Sequence, residues 1–536
     1  MEVLILQTMK SFLITMVLFL GVGMVYLFLM MSGTENYFTY ILDDAYIHLA
    51  IAKNFAFHGV WGVTQYSFSS TSSSPVFTVI LSSLIYVFGD HELIPLLFNT
   101  VTAFFMIFFL NKYFSDYFSE ARSVIAAVFF TVLFTSVPML VFSGMEHVLQ
   151  AMVIVVNVLC FERWKGSEYK DNYCSGWFYS SLALLGLIRF DSMFYFLALA
   201  LVFILLRRFT YAAGVLICGF IPILIFGYFT HQETGYFFPN SVIIKGSRFD
   251  LSGNYFMQVA GLLYHKILDN RNFYFAGILP LLISAVLIAK DIKKGLGFQQ
   301  ILSRNLLLIV WCITLFLHGA FSKFTKLYRY EVYILTGFAM AVIPKLKSVY
   351  EHKSYLLKEN RGISVLIFLS FVLLMVKVGF TSYLTVVGSR NVYEQQIQSA
   401  RFLKKYYPNA KVVANDIGAI CYFTDIHLLD FEGLGSKEVV PFRMRPVGID
   451  DQFERFLKSY TIQNGYQFAI AYEEWLQGHT PENWKKVAVL TVSGSNALLG
   501  EDHLYIYSID PRIHNTLREQ VKNFNWNKNI TVKIID

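Results

Sequence analysis

Two adjacent carboxylates, Asp43 and Asp44, follow the first long apolar run of the chain, in the stretch Leu42-Asp43-Asp44-Ala45-Tyr46-Ile47-His48. A carboxylate that close to hydrocarbon is costly unless water, a cation or a chemical task keeps it charged. Polar groups recur at the ends of later apolar runs: Glu146 in Ser143-Gly144-Met145-Glu146-His147, Arg189 and Asp191 around Phe190, Asn240 and Lys245 after Pro239, and Arg329 between Tyr328 and Tyr330. Carboxylates and cations sharing one membrane face suit transfer of a group from a lipid phosphate to an acceptor. Such chemistry needs a base for the incoming hydroxyl and a clamp for the departing anion.

The elements that must position these residues are membrane helices. With 536 residues, 55% of them hydrophobic and 17% aromatic, the chain is too apolar for a soluble globular protein. About eleven apolar runs of about 17 to 22 residues match the length that crosses a bilayer, and they predict a polytopic helical bundle over 1–388. Between Ser32 and His91 the only basic residue is Lys53, which puts this loop outside. Within it, Ser74-Pro75 opens an apolar run to Gly89 of about fourteen residues, short for a crossing, and Ser74 and Pro75 suit the N-cap and first helical positions. A helix lying along the outer surface is expected there.

Each later loop expected inside is basic: Lys112 and Arg122; Arg163, Lys165 and Lys170; Arg207 and Arg208; Lys290, Lys293, Lys294 and Arg304; and Lys345 to Arg361. The formal charge of +7 is thus a marker of orientation. The resulting topology places the N-terminus in the cytoplasm and the protein in the plasma (inner) membrane. It gathers all the polar motifs named above on the outer side, although only span length and inner-loop charge define it. From about Gly388 the composition turns mixed, and 389–536 reads as an extracytoplasmic α/β domain. A helix is expected over Asn391 to Tyr407, and strands over Lys411 to Ala414, Tyr466 to Ala471, Val487 to Val492 and Leu504 to Tyr507. Asn415-Asp416-Ile417-Gly418 and Leu429 to Leu434 fit turns at strand ends. Five cysteines without CxxC spacing argue against a zinc or disulfide framework.

Individual roles follow from residue type. Either Asp43 or Asp44 could take the proton of an acceptor hydroxyl while its neighbour orients the acceptor or holds a divalent cation (Mg, Mn or Ca); both also suit a helix N-terminus. His48 lies one turn after Asp44. Glu146 and Asp191 are further acceptor or metal contacts, although Asp191 could simply pair with Arg189. Arg189, Lys245 and Arg329 are the cations for a donor phosphate, with snorkelling to lipid headgroups as the plain alternative. Tyr330 can pack sugar or prenyl chain. Nothing matches a Gly-rich nucleotide loop, and nothing points to nucleic acid.

The run Asp43-Asp44-Ala45-Tyr46-Ile47 with Asn54, Thr71 and Ser74-Pro75 resembles the first outer loop of the GT-C membrane glycosyltransferases, and within them the mycobacterial terminal arabinofuranosyltransferase branch. The resemblance implies a polyprenyl-phosphate sugar donor, an acidic residue of this loop as base, a juxtamembrane helix after Ser74 and an inverted product; Tyr46, Asn54, Asn240 and Tyr330 are the candidate substrate contacts. Arabinofuranose is one option for the sugar, a glycan or a surface protein is the expected acceptor, and the soluble domain is a candidate acceptor-binding or positioning module. The chain departs from the branch at Ala50, where an arginine is frequent, and at Ser69-Ser70. A transporter or flippase of a lipid-linked substrate is the alternative class. It would place ionisable residues at mid-membrane in repeated halves, whereas here charges fall at predicted span ends and no repeat is evident.

Overall fold

The computed structural model describes residues 2–245, 254–325, 327–347, 361–445 and 448–535, with backbone alone at 2–7, 245 and 262. Every run expected to span is helical, but the lengths differ. Six helices are long and apolar enough to cross a membrane by themselves: Thr8–Gly33, Ile94–Ser115, His147–Gly166, Phe209–Thr234, Arg271–Lys293 and the continuous stretch Arg361–Tyr406. A seventh is counted if Phe298–Arg304 and Leu306–Phe321, bent by 81°, act as one span. Asn172–Ile188, Met193–Leu205, Ala121–Phe134 and Val332–Val342 are shorter. The chain is a multi-pass membrane protein.

The third expected span is broken for a local reason. Ser136 takes a left-handed conformation (φ 58°), and Pro138 follows inside the short helix Val137–Phe142. Proline has no N–H, so the Phe134 carbonyl lacks its helical donor four residues on. Lys377 supplies one, its buried Nζ donating to Phe134 O at 2.7 Å while lying over the Phe134 and Tyr328 rings, each at 4.4 Å. Lys377 sits well inside helix Arg361–Val392. A cation in hydrocarbon is tolerated when a carbonyl and aromatic faces replace water.

The first loop forms helix Asp44–His58, closed by Gly59 at φ 68°, and, after a serine-rich turn, helix Pro75–Phe88. The first is buried along nearly its whole length, from Ala45 to Ala52. Ala50 is fully buried, so an arginine at this position would have no room without repacking.

The soluble domain carries one six-stranded sheet. Its strands are β1 Lys411–Ala414, β2 His427–Asp430, β3 Phe468–Ala471, β4 Lys485–Val492, β5 His503–Ser508 and β6 Ile530–Ile534, in the order β2-β1-β3-β5-β4-β6. β2, β1 and β3 are parallel; β5, β4 and β6 continue antiparallel. The helix leading into it widens into a π turn at Tyr393–Ile397 and continues as Gln398–Tyr406, with Ala400, Phe402 and Leu403 buried. β1 lies where the alternation predicts it. β2 and β6 were not anticipated: β2 runs into the stretch read as a turn, sharing Leu429 and Asp430 with it, and β6 alternates buried and more accessible residues near the C-terminus.

Candidate active site

Helix Asp44–His58 docks between the bundle and the soluble domain, and its N-cap Asp43 and first residue Asp44 part company. Asp43 accepts from the amides of Gly418 (2.6 Å, Oδ2) and Ala419 (2.8 Å, Oδ1), which open helix Gly418–Phe423 of the soluble domain. A side chain at Gly418 would meet the Asp43 carbonyl at 2.2 Å, so only glycine permits this approach. Burial, and then the carboxylate of Asp416, push Asp43 up to about 8 against the pull of the two amides. Asp416 in turn accepts from Tyr472 Oη (2.8 Å) and Gln396 Nε2 (2.9 Å).

Asp44 points the other way. Its Oδ2 accepts from Arg329 Nη1 at 2.8 Å, and its side chain keeps 33% exposure on a cavity of about 180 Å³. His48, Thr71, Ser73, Arg189, Asp191, Ser241, Lys323 and Tyr330 line the same cavity. The cavity therefore draws on the first loop, the turn after helix Asn172–Ile188, helix Asn240–Lys245, the Phe321–Tyr330 loop and, through Leu434, the soluble domain.

Arg189 is the organising cation. It sits in extended backbone (φ −154°) between helix Asn172–Ile188 and the single turn Phe190–Ser192. Its Nε and Nη2 form a fork on Asp191 at 3.0 to 3.2 Å, and Nη1 donates to Glu146 Oε1 at 2.6 Å and to His147 Nε2 at 3.1 Å. His147 thus presents a lone pair to the guanidinium and is neutral. Arg189 and Arg329 flank the Tyr330 ring, each 4.8 Å from its centroid, and Arg329 Nη2 also donates to Tyr330 Oη at 3.0 Å. Such desolvated, bidentate pairing fixes geometry more than it adds stability.

Glu146 is fully buried behind this wall, its Oε2 3.4 Å from His48 Nε2. That contact is too poorly aligned to count as a hydrogen bond, since Oε2 has no hydrogen-bond partner. His48 Nδ1 pairs with Thr78 Oγ1 at 3.2 Å, and burial pushes the imidazole below its ordinary value despite the nearby Glu146 and Asp44. For a divalent cation the donor set is thin. Asp44, Glu146 and Asp191 each contact a guanidinium, leaving Glu146 Oε2 and His48 Nε2 as the adjacent uncommitted ligand atoms.

The expected residues divide by position. Asp44, His48, Arg189, Asp191 and Tyr330 meet at the cavity, with Glu146 and Arg329 directly behind it. Asp43, Tyr46, Asn54 and Asn240 do not line it. Tyr46 is fully buried against Tyr40, Tyr422 and Phe423. Asn54 Nδ2 closes the loop by donating to Gly62 O at 2.9 Å. Asn240 Nδ2 donates to the Gly433 and Leu434 carbonyls, both at 3.2 Å, and so staples the bundle to the soluble domain. Lys245 ends helix Asn240–Lys245, and its side chain lies outside the described residues. Lys323 and Ser241 were missed. Lys323 carried a usable signal: it is a basic residue in a loop where the charge rule expects few.

The fold, a helical membrane bundle joined to a C-terminal α/β region, is similar to that of a solved membrane protein, ArnT. The structure of ArnT from Cupriavidus metallidurans bound to undecaprenyl phosphate is similar at a TM-score of 0.51 and 14% identity, covering 92% of this chain and 98% of that one. The apo state of the same protein is equally similar (0.51, 14%), covering 93% and 98%. The oligosaccharyltransferase of Archaeoglobus fulgidus in its apo form gives 0.45 and 12% over 96% and 76%. Residues 390–507 match a family model described as a domain of unknown function, DUF8728. No curated protein sequence matches the chain.

Proposed function

We propose that this protein is an inverting membrane glycosyltransferase that moves a sugar from a polyprenyl-phosphate donor to a hydroxyl of an envelope glycan or surface protein, with Asp44 as general base. The observation that carries this reading is Asp44 itself: a carboxylate held by Arg329, half-open to a cavity at the end of an apolar bundle, beside the exposed cation Lys323. Asp44 takes the acceptor hydroxyl's proton as its oxygen attacks the anomeric carbon, and the bond to the lipid phosphate oxygen breaks. One carboxylate acting directly, without a covalent intermediate, gives inversion.

The departing phosphate needs compensation for its charge. Arg189, held by Asp191, Glu146 and His147, shapes the cavity wall, and Lys323, the more exposed cation of the lining, meets the phosphate. Arg329 orients Asp44. The donor's prenyl chain lies along the apolar part of the cavity, which Phe190, Met193, Phe194 and Phe321 line. Arabinofuranose is the sugar favoured by the first-loop resemblance. A divalent cation, if one takes part, would bind Glu146 Oε2 and His48 Nε2 and supply charge for the leaving phosphate. The topology read from inner-loop charge puts the cavity and the soluble domain outside the plasma membrane. Mass spectrometry of envelope glycans and surface proteins from cells with and without the chain tests the reading: one defined sugar should vanish from one acceptor. Identical glycan and protein profiles would contradict it.

A further inference from the structure

The loop Gly433–Ser436 separates two cavities. Leu434 lines the one that holds Asp44, whereas Gly435 and Ser436 line a second, of about 190 Å³, between the first loop of the bundle and the soluble domain. The loop is rigidly held from below by Asp430, whose Oδ1 accepts from Glu432 N (2.9 Å) and whose Oδ2 accepts from Gly435 N (2.7 Å), while its own amide donates to Ser436 Oγ (2.8 Å). Thr71 Oγ1 ties the same loop to the bundle by donating to Leu434 O at 2.8 Å.

The second cavity has the lining of a carbohydrate cleft. Tyr66 from the bundle lies flat on His427 from β2, centroids 3.7 Å apart and planes within 14°, which makes an aromatic platform at the junction. Tyr460 and Tyr466 stand 6.2 Å apart on the domain side. Among the described residues, the side-chain polar atoms of Lys437, Glu438, Tyr460 and Tyr466 make no hydrogen bond, so the cleft offers unspent donors and acceptors beside ring faces. Lys437 and Glu438 are adjacent and opposite in charge, which favours neither an anionic nor a cationic ligand. Aromatic faces with neutral-on-balance hydrogen-bonding groups match a hydroxyl-rich, uncharged chain.

We infer that this cleft binds a neutral glycan strand, the body of the acceptor, so that its reacting hydroxyl reaches past Leu434 to Asp44. The inference rests on the transferase reading for its purpose but not for its binding. Saturation-transfer NMR tests it on the full chain in lipid discs, with maltohexaose, cellohexaose and arabinohexaose as probes and a serine- and threonine-rich peptide as the contrasting ligand. At least one oligosaccharide should bind, and Tyr460→Ala should weaken it by about tenfold or more. Because Tyr460 also packs on Phe456, Ser67→Trp serves as the second variant: it fills the cleft from an exposed position and should block binding equally. Unaltered binding in both cleft variants, binding of the peptide alone, or silence from every probe would overturn the inference. Glycan binding without any transfer would instead refute the transferase reading and leave the cleft standing.

Discussion

The carboxylate of Asp43 turns away from that of Asp44: Asp43 closes on the amides of Gly418 and Ala419 at 2.6 and 2.8 Å, while Asp44 accepts from Arg329 at 2.8 Å and faces the cavity. Neighbours in sequence thus make separate contacts, one joining the soluble domain to the bundle and the other facing the cavity.

Removing the first should therefore loosen docking. Asp43→Ala leaves two amides without their acceptor at a buried junction, a cost of about 1–3 kcal/mol. Hydrogen exchange at Gly418 and Ala419 should quicken, with exchange in the bundle helices unchanged. Equal protection in variant and parent would contradict the clasp.

The same junction sets a pH dependence. Asp43 is pushed up to about 8 by burial and by Asp416, whereas an unfolded aspartate titrates near about 4. Between these values the folded chain holds a proton that the unfolded chain has released, so stability falls as pH rises across that window. The midpoint of thermal unfolding should decline from about pH 5 to about pH 9. Asp416→Asn, which removes the neighbouring charge, should flatten the decline. An unchanged slope in that variant would count against the coupling.

Arg189 compensates two carboxylates at once, with Asp191 in its fork and Glu146 on Nη1. Arg189→Met strands both in a buried site, at a cost of about 3–5 kcal/mol. A lower unfolding midpoint is expected, with partial recovery in Arg189→Lys, which restores charge but not the planar fork. Full recovery by lysine would mean that geometry is unimportant there.

Much of this architecture can be read from the residues themselves. Apolar run length marks the helices, and the basic inner loops bring Asp44, Glu146, Arg189, Asp191 and Arg329 to one end, where the structure assembles them. What was hidden depends on contacts distant in sequence. Nothing near Asp43 announces Gly418, which is 375 positions away. Tyr46, Asn54 and Asn240 look like polar loop residues, yet their partners are a core, a turn and a backbone in another domain. The place of Lys377 inside its helix depends on a carbonyl orphaned by Pro138, in a different helix. β2 escaped because four residues between turns carry too little periodicity to separate strand from loop.

The most direct test compares the two carboxylates by transfer. Full-length protein in lipid discs, supplied with polyprenyl-phosphate sugars and acceptor, is assayed as parent, Asp43→Asn and Asp44→Asn, with rates normalised to folded protein. Loss of a general base costs about 10²-fold or more, so Asp44→Asn should fall by at least that factor while Asp43→Asn stays within about tenfold of the parent. Undiminished transfer by folded Asp44→Asn would contradict the account.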